Sequence, residues 1–252
     1  MLVVAKRLKQ INTLALWAMI AQLAVLAALP AAAAPADSLP PSPDASPEPV
    51  LKFEAPAGHC AYDGAEGGKP GQMTGFEPGL KSGTELMALY VPCVALQAVR
   101  SGTAEWLPEW VAIEKNTVTY PSEDERSLGS HGAVKQLCKD AQSSQWGHLR
   151  YTGEDFATLV QKAAEKLSYN DPVVFLGVIG EEEHACYLSA LRIVFSPSGK
   201  PLKFLIVTAF MQAGDRWVTQ SFRRELQPTR EAAEAVLASV KKESKSFSDK
   251  NR

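Results

Sequence analysis

From Pro172 to Leu226 the chain alternates β-branched or aromatic residues with polar ones, the period-2 signature of strands. Val173 to Ile179 is a near-continuous apolar run, of the kind carried by a strand buried on both faces. Gly180-Glu181-Glu182-Glu183-His184 is short and polar and suits a hairpin turn. Ala185 to Phe195 forms a second run. Ser196 to Pro201 forms a second turn, because proline presets φ and glycine tolerates positive φ. Leu202 to Met211 is a third strand, Ala213-Gly214-Asp215 a third turn, and Trp217 to Leu226 a fourth strand. Val218 and Phe222 share one face of that last strand and Trp217 takes the other. Connections this short require antiparallel neighbours. The expected platform is a four-stranded antiparallel meander.

Upstream, Val50 to Glu54 reads as an opening strand, turned by Pro56-Ala57-Gly58 into a short strand at His59 to Tyr62. A glycine-rich loop spans Gly64 to Gly83. Its Gly67-Gly68-Lys69-Pro70 fails as a phosphate loop, because Pro70 replaces the magnesium-binding hydroxyl. Glu85 to Val91 and Trp110 to Thr119 are further strands, with a short helix from Pro92-Cys93 stopped at Gly102. Ser130 is expected to cap a helix over Gly132–Gln142, with Val134, Leu137, Cys138 and Ala141 on one face. Thr152 and Asp155 resemble a capping box opening a helix to Leu167, with Phe156, Leu159, Val160, Ala163 and Leu167 as its apolar stripe. Thr229 is expected to cap a last helix with Ala233, Val236, Leu237 and Val240 inward. Glu231 and Glu234 near its start and Lys241 and Lys242 near its end complement its dipole. Helices with one apolar face must cover a sheet. The expected fold class is α+β, a layered sandwich of mainly antiparallel sheet packed by helices.

This element order resembles the PsbP-like α/β/α sandwich. The resemblance is carried by the opening strand Val50–Glu54, the meander 172–226 and the closing helix 229–242. It covers most of the chain after the leader and includes no signature motif. It implies a binding or assembly module without shared catalytic residues, and fold alone does not fix function.

The ends of the chain set the expected compartment. Lys6, Arg7 and Lys9 precede an apolar stretch from Leu14 to Leu29, and Ala31 to Ala34 with Ala36 supply small residues for cleavage after Ala33 or Ala36. Residues 1–36 are read as a signal peptide, with a retained anchor as the competing reading. Residues 37–49, holding Pro40, Pro41, Pro43, Pro47 and Pro49, form a linker. Residues 50–242 form one α+β domain, and 243–252 a disordered basic tail. Losing Lys6, Arg7 and Lys9 with the leader takes the formal charge from −2 to about −5, which leaves no basic field for nucleic acid. No further segment spans a membrane. A periplasmic or secreted protein of the bacterial envelope is expected, partnered by an envelope protein or a small ligand and carrying no cofactor.

Candidate chemistry is sparse. The four cysteines, Cys60, Cys93, Cys138 and Cys186, favour two disulfides in an exported protein. Three pairings are open. Cys60–Cys93 with Cys138–Cys186 is preferred, because the first ties the ends of the Gly-rich region and the second pins a helix to the meander. The competing reading is a metal-binding or thiol-dependent enzyme. His59 adjoins Cys60. Strand alternation puts His184 and Cys186 on one face, where soft thiolate and imidazole ligands suit copper or zinc. A cysteine hydrolase needs a free thiol beside His59, His131, His148 or His184. The run Glu181-Glu182-Glu183 lacks the spacing of a calcium loop and reads as a solvated tip. Trp106, Trp110, Trp146 and Trp217 line either a core or a groove.

Overall fold

Seven antiparallel strands make one sheet in the order β1-β2-β3-β7-β6-β5-β4. In chain order these are β1 (His59–Ala61), β2 (Thr84–Pro92), β3 (Trp110–Asn116), β4 (Val173–Glu182), β5 (Ala185–Phe195), β6 (Pro201–Ala213) and β7 (Arg216–Glu225). The helices are α1 (Cys93–Arg100), α2 (Gly129–Ser143), α3 (Phe156–Lys166) and α4 (Arg230–Lys250). The computed structural model describes residues 51–63, 83–116, 129–143, 155–214, 216–227 and 229–251. The expected leader, the Pro-rich linker and the Gly-rich loop up to residue 82 lie outside them, as do Trp146 and His148. Among the described residues, no helix is long and apolar enough to cross a membrane.

The last four strands are sequential neighbours, joined by the tight connections that their turn residues specify. Gly199 sits in the β5–β6 turn at φ 79° and Gly214 in the β6–β7 turn at φ 60°, conformations that suit glycine. β7 then pairs with β3, with Ile113 opposite Gln220, so the N-terminal strands extend the same sheet. β4 is an edge strand: Val174, Leu176 and Ile179 are buried on one side of the sheet and Val178 on the other. The apolar run at Val173–Ile179 is therefore covered on both faces only at its Val178–Ile179 end, while Val173 and Phe175 stay half-buried. Gly177 at φ 77° and two register shifts bend this edge, which hinders pairing with another chain.

Alternation divides the sheet into two sides. On the first, Tyr187, Leu191, Leu205, Val207, Met211, Val218 and Phe222 meet Phe156, Leu159 and Val160 of α3 and Ala233, Val240 and Phe247 of α4. On the second, Val178, Cys186 and Trp217 meet Ala133, Val134, Cys138 and Ala141 of α2. Farther along that side, Leu89, Val91, Trp110 and Ala112 meet Leu96 of α1 and Leu107.

Local chemistry sets the helix starts. Thr229 accepts from the Ala232 amide at 3.2 Å and caps α4. For α3 the cap is Asp155 itself, which accepts from the Thr158 amide at 2.9 Å and the Thr158 hydroxyl at 2.8 Å. The expected cap Thr152 lies outside the described residues.

Two expectations fail at the chain's described ends. Residues 51–54 form no strand. Phe53 instead stacks on Phe247 with ring centroids 5.8 Å apart, and Lys52 exchanges two hydrogen bonds with the Asn251 side chain. One of the three stretches behind the PsbP-like resemblance is thus a strap along α4. The disordered tail from residue 243 is likewise replaced by helix to Lys250. Val240, Ser244 and Phe247 continue one buried stripe at helical spacing, and burying Phe247 contributes roughly 1.5–3 kcal/mol.

Candidate functional site

The four cysteines form two bridges. Cys60–Cys93 joins β1 to the start of α1 with Cα atoms 5.0 Å apart, and Cys138–Cys186 joins α2 to β5 with Cα atoms 5.4 Å apart. Each closes a loop long enough to contribute about 2–4 kcal/mol. None of the four is free, so no thiolate is available as nucleophile or ligand.

His59 and His184 have different sets of partners. His59 Nδ1–H donates to the Ala57 carbonyl at 3.0 Å, and its Nε2 lone pair accepts from Arg224 at 2.6 Å. Arg224 also donates to Glu109 at 2.9 Å. Burial, with the Arg224 charge adding to it, lowers the His59 pKa below its ordinary value, so the ring is neutral and both nitrogens are engaged. His184 does not share a face with Cys186. β5 begins at Ala185, and His184 sits in the turn before it, outside the strand's alternation. Its Nε2 lies 3.2 Å from the Tyr187 hydroxyl and 3.3 Å from Ser244 Oγ on α4, whereas Cys186 packs under α2 on the other side. No group of three or more metal-ligating side chains occurs among the described residues.

Around Tyr187 a polar cluster binds α4 to the β4–β5 hairpin. The Tyr187 hydroxyl is 3.0 Å from Ser244 Oγ and 3.3 Å from Glu182, and Lys241 pairs with Glu182 at 3.0 Å. Burial pushes the Tyr187 pKa up. Ser, His and carboxylate meet here, but Glu182 approaches the same ring nitrogen as Ser244. A nucleophilic triad needs the acid on the opposite nitrogen. Ser244 is also fully buried and donates to the Lys241 carbonyl. The cluster is a satisfied polar clamp and not a reactive centre. In the run Glu181–Glu183, Glu182 is half-buried in this clamp while Glu181 and Glu183 are exposed.

The remaining candidate is the second side of the sheet. α2 covers the Cys186–Trp217 end, and α1 with Leu107 covers the β2–β3 end. Leu188 and Phe210 pack at the margin of the α2 cluster, and beyond them Ala190, Arg192, Ile206, Thr208 and Ser221 are half-buried, whereas every intervening residue from Leu205 to Met211 on the first side is buried. Register places Ser221 beside Thr208 and Leu188 in one cross-strand row, and Arg223 beside Ile206 and Ala190 in the next. Arg192 and Phe204 share the row beyond. Thr208 and Ser221 bond to each other at 2.9 Å.

Arg223 lies at the margin of this floor and is 1% exposed. Its guanidinium carbon sits 4.9 Å from the Trp110 ring centroid and 4.9 Å from the Phe204 ring centroid, and its Nε donates to the Pro108 carbonyl at 2.6 Å. Trp106 meets Phe204 edge-on at 6.1 Å. Burial, then the like charge of Arg192, pulls the Arg223 pKa down to about 9, against an opposing pull from Glu109. The group stays charged at neutral pH. Trp110 and Trp217 thus belong to the core, while half-buried Trp106 flanks the floor.

No protein-family model matches the chain, and no curated protein or solved structure matches it either. The arginine and hydroxyl floor was not marked in the sequence as a site. Strand alternation assigns Arg192, Thr208, Ser221 and Arg223 to one face, but only the β7–β3 pairing, across more than a hundred residues, puts Trp110 over Arg223.

Proposed function

We propose that the chain is an exported, disulfide-stapled binding module of the bacterial envelope, and that the half-covered side of the sheet is its binding face. The observation that carries this reading is the difference between the two sides of β5 and β6. One side is sealed by α3 and α4, while the other holds a floor of apolar, hydroxyl and guanidinium groups that is only partly buried. Ligand sites are commonly concave, mostly apolar and set with few polar groups. The two bridges are compatible with an oxidising compartment, and the leader pattern supplies the route there. The part of the PsbP-like resemblance that rests on the meander and the closing helix is in keeping with a binding role.

Photocrosslinking in intact cells tests the face. A photoreactive residue at Thr208 is expected to yield a discrete adduct, and the same residue at exposed Glu234 on α4 is expected to yield none. Equal labelling from both positions, or none from Thr208, contradicts the reading. Mass analysis of the same purified protein checks export, with cleavage expected after Ala33 or Ala36.

A further inference from the structure

We propose that the binding face takes a small organic carboxylate with an apolar body, its carboxylate held by Arg192; this rests on the reading of that face as the binding surface. Four observations converge. Among the described residues the half-buried Arg192 side chain makes no hydrogen bond or ion pair, and its one electrostatic neighbour there is another cation, Arg223. Leaving a partly desolvated guanidinium without a counter-charge, beside a second one, is unfavourable. An anion at Arg192 relieves both. Arg223 need not touch the ligand: it stands two strands away, about 10 Å, and adds a second positive charge to the same field.

Among the described residues, the acids on this part of the sheet are committed elsewhere or distant. Glu109 binds Arg224 and the Glu225 amide. Glu225 shares the row of Phe204 and Arg192 but stands two strands from Arg192 and makes no ion pair with it. Donor count decides the anion. A guanidinium fork matches the two oxygens of a carboxylate, whereas a phosphate has further oxygens to satisfy. Thr208 and Ser221 already bond to each other. The floor beside Arg192 decides the rest of the ligand. Ala190 and Ile206 are half-buried in the next row on this side, with Leu188 beyond them at the edge of the α2 cluster, so an alkyl chain or ring lying over them leaves water as its carboxylate meets the fork.

The test is an NMR amide titration of the exported form with both bridges intact, using octanoate, 1-octanol, acetate and inorganic phosphate as probes. Octanoate is expected to move the amides of Ala190, Arg192, Ile206 and Thr208. The other three probes are expected to bind at least about tenfold more weakly, each lacking the charge, the chain or both features together. Arg192→Met is expected to weaken octanoate about 10- to 100-fold. Arg192→Lys should fall between, since it keeps the charge and loses the fork. Ala190→Phe, which leaves Arg192 in place and fills the floor, should also block octanoate. Equal octanoate binding by wild type and Arg192→Met overturns the proposal, as does 1-octanol or phosphate binding as tightly as octanoate. If octanoate moves no amide while Thr208 still crosslinks in cells, the carboxylate class falls and the binding face stands. If both fail, both readings fall.

Discussion

Neighbouring residues of β6 live in different environments. Leu205, Val207, Ala209 and Met211 point into a side closed by two helices, and Ile206, Thr208 and Phe210 point to a side where the described helices cover the ends, Phe210 lying at the edge of the α2 cluster. A strand cannot choose one face for all its residues, because its side chains alternate. Each face must therefore find its own cover. The first side is sealed by α3 and by the whole length of α4. The second has α1 and α2, each fixed by a disulfide at one end of the floor. On the proposed reading, fixed lids at two ends and a half-covered middle hold the binding floor rigid without filling it.

Paired substitutions break this comparison most severely. Val207→Asp places an uncompensated carboxylate in the closed side and is expected to abolish cooperative unfolding, whereas Thr208→Asp should leave the fold intact; circular dichroism with urea titration reads both. Leu191→Ala should cost about 2–5 kcal/mol, and Arg192→Ala, its neighbour on the open side, about 0.5 kcal/mol or less. Equal losses in either pair would remove the asymmetry.

The lids come next in size. Replacing Cys138 and Cys186 together by Ala should cost about 2–4 kcal/mol in denaturant unfolding and loosen α2, raising amide exchange in residues 129–143. Exchange in α3 should be unchanged. Ser244→Ala removes a buried hydroxyl from the Tyr187 clamp on the closed side and should cost about 1–3 kcal/mol. It should leave the chemical shifts of Ala190 and Ile206 unmoved.

The smallest effect is a pH dependence. His59 is neutral in the fold, with its pKa lowered chiefly by burial. A base whose folded pKa lies below its unfolded value of about 6.5 stabilises the fold above that pH. That contribution is lost as pH falls through the folded pKa, when the proton competes with the Arg224 hydrogen bond. The melting temperature is expected to drop modestly from pH 7.5 to pH 5, and His59→Gln should flatten that drop. Asp155 adds a second, more acidic loss. Its pKa is held down to about 2 by hydrogen bonds from Thr158 and the Arg230 pair, so its contribution is present above its ordinary value and lost as pH falls toward 2.

Much of this architecture was legible in residue order because the deciding forces are local. Alternation and turn residues located β5, β6 and β7, and Thr229 located the start of α4. The bridge pairing followed from which elements the cysteines lie on. Failures arose where a distant element supplied the reason. Leu51 and Phe53 alternate like a strand, but Phe247, almost two hundred residues away, offers an aromatic face that takes Phe53 without a ladder. The end of α4 read as a charged tail because Ser244 interrupts its apolar stripe, and a serine belongs there only because the Tyr187 hydroxyl meets it. His184 and Cys186 were placed together by alternation carried one residue past the start of the strand. Arg223 carried no signal in the sequence, because its burial depends on Trp110 and Phe204 arriving from two other strands.

Hydroxyl-radical footprinting of the exported form measures the central asymmetry directly. Met211 is intrinsically among the most oxidisable side chains and lies 1% exposed on the closed side. Ile206 and Phe210 are intrinsically slower but half-buried on the open side. Normalised to intrinsic reactivity, Ile206 and Phe210 are expected to label at least about tenfold faster than Met211 and Leu205. Equal normalised rates, or faster labelling of Met211, would show that the open side is not open and would remove the basis for placing a ligand there.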